Sequence, residues 1–171
     1  MTCQKERTTQ HHLGVPHGHG CVADSEILIF AVFESTPRIG NRLAPNAFKS
    51  KKIRDGDISL FRSGFTSRAD FEAHVIPPKA HTDTPSGVVV CGAELLRTIR
   101  IPHGAPHLTL RAVCVIDKVE DGDHDGHAAI ESSEEIESIV GETSRGRARS
   151  AIANSLADAF SEICDLDSIL P

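Results

Sequence analysis

Ser59, Arg62 and His127 are the side chains with which this sequence could work on an anionic substrate. They supply a hydroxyl, a guanidinium able to hold phosphate or carboxylate through two parallel hydrogen bonds, and an imidazole that exchanges protons near neutral pH. His127 opens the run HAAI, which sets it at the mouth of a strand. No GxSxG, HExxH, P-loop or GxGxxG pattern accompanies the three, and a histidine at such a position serves first as a capping or hydrogen-bonding residue. A second constellation is the loop DGDHDGHAAIES, where Asp121, Asp123 and Asp125 alternate ahead of Gly126 as hard oxygen ligands of a calcium loop would. Its twelfth position is Ser132 where a bidentate glutamate is required, with Glu131 one residue early, so a solvated hairpin loop is the preferred reading and no metal is assigned. The third is HHLGVPHGHGC, with His11, His12, His17, His19 and Cys21; these are zinc-, nickel- or copper-type donors, but their spacing fits no closed structural site.

The charge is segregated along the chain. Its formal net charge is −6, yet Arg38 to Arg68 holds eight basic residues against two acids, while Asp117 to the end holds fourteen acids against four bases. Pairing of the halves, or two solvated faces, accounts for this most simply. The sharper expectation is that Arg42, Lys49, Lys51, Lys52, Arg54 and Arg62 form a surface for an anion or an acidic partner. Nucleic acid is the weaker form of that expectation, because stacking on bases calls for exposed aromatics and the chain has no Trp or Tyr.

The elements that must position these groups follow from periodicity and punctuation. Residues 1–24 lack apolar periodicity and read as a mobile histidine-rich tail, with a single domain over 25–165 and a short C-terminal tail over 166–171. The run ILIFAVF from Ile27 is short and apolar throughout, as a strand covered on both faces must be. Asp55-Gly56 signals a turn before a strand at 57–61, which places the lysines in or beside a loop. Thr66-Ser67 opens a helix to Val75; a strand at 87–91 and a short helix at 93–99 follow. Leu108, Leu110, Ala112, Cys114 and Ile116 alternate as one strand, with His127–Glu131 as its hairpin partner. Ala148, Ile152, Leu156, Phe160 and Ile163 recur at helical spacing and predict a helix of about five turns lying across the sheet. Strands interspersed with short helices, without βαβ alternation or repeats, predict an α+β fold. Five cysteines without a CxxC pair, two of them inside apolar runs, read as reduced and structural. No run approaches the roughly 18 apolar residues of a membrane span, and the opening MTCQKERTTQ has no secretory core, so a cytoplasmic protein is expected.

The order of short motifs, Ala47-Phe48, then DGDISL at 55–60, the helix opened by Thr66-Ser67, GVVVCGAELL, and HAAI at 127–130, resembles a group of small bacterial proteins without an assigned activity. That resemblance spans about Phe30 to Glu131 and implies a compact cytosolic domain in which Phe48, Ser59 and His127 occupy recurring positions. The expectation is therefore an accessory or protein-interaction module of a bacterial cytosolic system, needing no cofactor. Its partner would be another protein, ahead of a phosphate-bearing ligand or nucleic acid. The alternative is a small enzyme using Ser59, Arg62 and His127 on an anionic substrate.

Overall fold

Strand β1, Ile27–Phe33, alternates its burial as an apolar run between two layers must: Leu28 and Val32 are buried toward one face and Ile29 toward the other. The computed structural model describes Cys3, Glu6 and residues 21–56, 58–75, 84–118 and 126–170. The other strands are β2 (Arg38–Ile39), β3 (Arg42–Leu43), β4 (Ile58–Arg62), β5 (Pro85–Gly92), β6 (Arg100–His103), β7 (Ala105–Arg111), β8 (Val113–Asp117) and β9 (His127–Ser132). The helices are α1 (Ser50–Asp55), α2 (Arg68–Val75), α3 (Ala93–Thr98), α4 (Glu134–Glu137) and α5 (Glu142–Ala159). Five strands make one antiparallel sheet in the order β5-β1-β4-β9-β8, while β2–β3 and β6–β7 are separate two-stranded ribbons. The architecture is α+β.

One face carries Leu28, Val32, Leu60, Val89, Val115 and Ile130, and the stripe of α5, Ala148, Ile152, Ala153 and Leu156, joins them in a single apolar cluster with Ile53 of α1 and Leu96 of α3. Phe160 lies one residue past the end of α5 in extended conformation. It stacks on Phe48 with ring centroids 5.5 Å apart and meets Phe30 at 6.0 Å. The opposite face packs Ile29, Phe61 and Val88 against Phe71 and Val75 of α2 and against Leu170.

Several expectations change. The single strand over 108–116 is two strands parted at Ala112: β7 pairs with β6 and β8 with β9, because period-two alternation does not encode which partner a strand takes. The lysine-bearing stretch is a helix, α1, anchored by one buried residue, Ile53, and so too short to show a period. It ends at Gly56, whose φ of +68° suits glycine and whose lack of a Cβ leaves room for the Glu131 side chain. Finally, Cys3 and Glu6, which the composition assigned to a mobile tail, are 4% and 2% exposed, and Leu170 in the expected C-terminal tail is buried as well.

Both edge strands of the sheet take hydrogen bonds from residues outside the sheet. Along β5, Val88 and Cys164 exchange backbone hydrogen bonds of 3.0 and 2.9 Å, and the Ser161 N–H donates to the Val90 carbonyl at 2.9 Å. Gly87 permits this approach, since a Cβ there would sit 2.8 Å from the Ile163 side chain. Along β8, the Glu6 carboxylate accepts from the Val115 N–H at 2.9 Å, and the Arg111 Nε donates to the Val113 carbonyl at 3.0 Å. Cys3 and Cys114 are joined as a disulfide, which corrects the reading of all five cysteines as reduced; nothing in the spacing of two cysteines 111 residues apart announces their pairing.

Candidate functional site

Strand alternation decides where the three nominated side chains go. Leu60 and Arg62 share the face of the α5 core, whereas Ser59 and Phe61 point to the other side. Phe61 is paired with His127 and Ser59 with Ala129, so Ser59 and His127 share a face from which Arg62 is excluded. The sheet itself lies between the guanidinium and the other two groups.

Arg62 is 1% exposed. Its Nε and Nη2 donate to the two Glu26 carboxylate oxygens at 2.6 and 2.8 Å, and its Nη1 donates to Asp117 Oδ1 at 3.1 Å. The guanidinium carbon also lies 4.5 Å from the centre of the Phe65 ring, in cation–π range. Burial alone would raise the Glu26 pKa; the Arg62 hydrogen bonds, the Ala23 N–H and the charges of Arg62 and Arg97 outweigh it and hold this carboxyl below its ordinary value. The fork that the sequence offers for an external anion thus grips two of the protein's own acids. Glu26, Asp117 and Phe65 carry no local signal of this role, since they come from three separate elements.

The remaining basic residues divide by use. Arg42 donates from Nη2 to the carbonyls of Asp158 and Phe160, each at 3.1 Å, and so closes the C-terminal end of α5. Arg54 pairs with the neighbouring Asp55. Lys49, Lys51 and Lys52 are exposed, and among the described residues none of them takes part in an ion pair.

Lys49 also lines a cleft of about 470 Å³ between the segment leading into α1 and the outer side of α5. Pro37, Pro45, Phe48 and Ala153 supply an apolar floor, while Asn46, Ser50, Ser150 and Asn154 add polar groups that are uncharged. Among the described residues, no acidic one lines it. Exposed Arg147 stands three residues before Ser150 on the same side of α5 and extends the positive rim. Sequence reading found Lys49 but not its setting, because Ser150 and Asn154 reach the cleft from a helix about a hundred residues away.

Donor atoms of Cys3, Cys114 and Glu134 lie within 4.8 Å of one another, with the two sulfurs bonded to each other. The nominated calcium ligands Asp121, Asp123 and Asp125 and the histidines of the N-terminal segment lie outside the described residues. Compared with protein-family models, curated proteins and solved structures, the chain finds no match among any of them.

Proposed function

We propose that the protein is a binding module of a cytosolic system and that the Lys49 cleft receives an acidic segment of a partner protein bearing an apolar side chain. The observation that carries this reading is the cleft's composition: a floor of proline, phenylalanine and alanine with Lys49 in the lining and exposed Lys51 and Lys52 close by in sequence, and no acidic group among the described lining residues. The floor would take an apolar side chain out of water, and the lysines would steer and orient neighbouring carboxylates. Its volume of about 470 Å³ suits one or two side chains.

The test is fluorescence polarisation with a labelled peptide alternating Leu or Phe with Glu, against the same peptide with every Glu replaced by Gln. The acidic peptide should bind, the neutral one should bind more weakly, and affinity should fall several-fold between about 50 and 200 mM salt, as screening shortens the reach of the lysines. Charge removal in the Lys49→Gln, Lys51→Gln, Lys52→Gln triple variant should weaken binding about tenfold or more, while Arg54→Gln, whose guanidinium is already paired with Asp55, changes it little. Equal binding of the two peptides, or a triple variant that binds like the parent, removes the cleft from consideration.

A further inference from the structure

We infer that the acidic segment received by the Lys49 cleft is the turn between α4 and α5 of a second copy of this chain, with Val140 as the apolar side chain it inserts. The inference rests on the binding reading of the cleft and names its partner. Isolated exposed apolar side chains are ordinary on a protein surface, so the setting of Val140 decides more than its exposure does. Val140 is 91% exposed, the highest value of any large apolar side chain among the described residues. From Glu134 to Glu142 the chain has four acids and no base. Two of them, Glu135 before Val140 and Glu142 after it, are exposed. The turn thus carries the two properties for which the cleft is built, negative charge and one protruding apolar group.

The shape of this turn is fixed before any partner arrives. Ile139 is buried in the α5 core, and its carbonyl accepts from Arg145 Nη1 at 3.0 Å. Gly141 has a φ of +87°, and its carbonyl accepts from the Arg145 N–H at 3.1 Å. The Glu142 carboxylate is held by Arg145 Nη2 at 2.8 Å and by Arg149 Nη1 at 3.1 Å, while 69% of its side chain stays open to solvent. A side chain presented on backbone held this way loses little conformational freedom when it docks. A Cβ added at Gly141 would meet nothing within 4 Å, so no described residue crowds that side of the turn.

The contact has to be made between molecules. Ser150 and Asn154, which line the cleft, lie eight and twelve residues beyond Glu142 on α5. At a rise of about 1.5 Å per residue that is roughly 12–18 Å of rigid helix, so the turn cannot reach the cleft of its own chain. Lys49, Lys51 and Lys52 are exposed and, among the described residues, make no ion pair within the chain. Glu135 and Glu142 of a second copy supply the charge that complements them. With two copies related by a two-fold axis, each turn enters the other's cleft, both surfaces are filled at once, and association stops at the dimer.

Sedimentation of the full chain over a concentration series tests this. The weight-average mass should rise from one chain toward two, and the dimer dissociation constant should increase several-fold between about 50 and 200 mM salt. Val140→Lys, and separately the Lys49→Gln, Lys51→Gln, Lys52→Gln triple variant, should each raise that constant about tenfold or more; all four positions are exposed, so thermal melts like the parent's will show that both variants fold. Glu135→Gln keeps a carbonyl oxygen to accept from the Arg111 N–H. It should weaken the dimer several-fold in the parent and leave it unchanged in the triple variant, where the lysines it faces are gone. The acidic peptide should also dissociate the dimer by competing for the cleft. A chain that binds the peptide yet stays monomeric at every concentration overturns the second copy as occupant and leaves the cleft a binding site. A dimer that Val140→Lys leaves intact, or equal effects of Glu135→Gln in the two backgrounds, overturns the turn as the inserted segment, and a monomeric chain that ignores the peptide removes both readings.

Discussion

Around Arg62 the protein has removed a guanidinium from water and returned to it two carboxylates and an aromatic face, the condition under which a buried charge is tolerable. Truncation at one side of such a cluster leaves charge unmatched. Arg62→Ala should therefore cost about 3–5 kcal/mol in a denaturant melt, and Arg62→Met combined with Glu26→Gln and Asp117→Asn should cost less than Arg62→Ala alone. The lowered pKa of Glu26 fixes the sign of the acid response: its contribution is complete above the ordinary glutamate value, about pH 4.3, and is lost as pH falls through the lower folded value. Melts between about pH 5 and pH 2 should show the Glu26→Gln variant less stable than the parent at the upper end and the difference shrinking toward the lower. A difference that stays constant over that window would remove Glu26 as a titrating contributor. Arg62 itself was legible as a group that holds carboxylates; which carboxylates was not, because strand register and the turn at Glu26 settle that.

Elements announced by an unbroken apolar run, a helix cap or a long helical stripe were readable from sequence, and those without such a signal were not. The α2 helix begins after Thr66-Ser67 as that cap signal requires, and β1, β5 and the body of α5 fall where their apolar residues put them. By contrast α1, with Ile53 as its one buried residue, carries no period, and the break between β7 and β8 at Ala112 leaves the alternation intact. The end of α5 also moves: Phe160 keeps the helical spacing in sequence but sits outside the helix, where it closes an aromatic trio with Phe30 and Phe48. At 1% exposure, Phe160→Ala should destabilise the isolated chain by about 3–5 kcal/mol. A melt like the parent's would show that α5 does not depend on this trio to stay on the sheet.

For the whole molecule, the α+β class was legible because apolar runs of strand length alternate irregularly with short helical stretches, and the cleft was legible only through Lys49. What composition alone could not supply was the use of residues near the chain ends, since Cys3, Glu6 and Leu170 look like tail residues until the sheet is there to receive them. Open edges invite pairing with other chains, and here Ser161 and Cys164 bond to β5 while Cys3 and Glu6 bond to β8. The cross-link between Cys3 and Cys114 has a mechanical consequence. A molecule stretched by its two ends in an optical trap bears force through that bond, so the 111-residue interval it spans cannot lengthen when the domain gives way. At roughly 3.3–3.6 Å per residue, the bond should withhold about 370–400 Å of contour length, which a reductant in the trapping buffer would release.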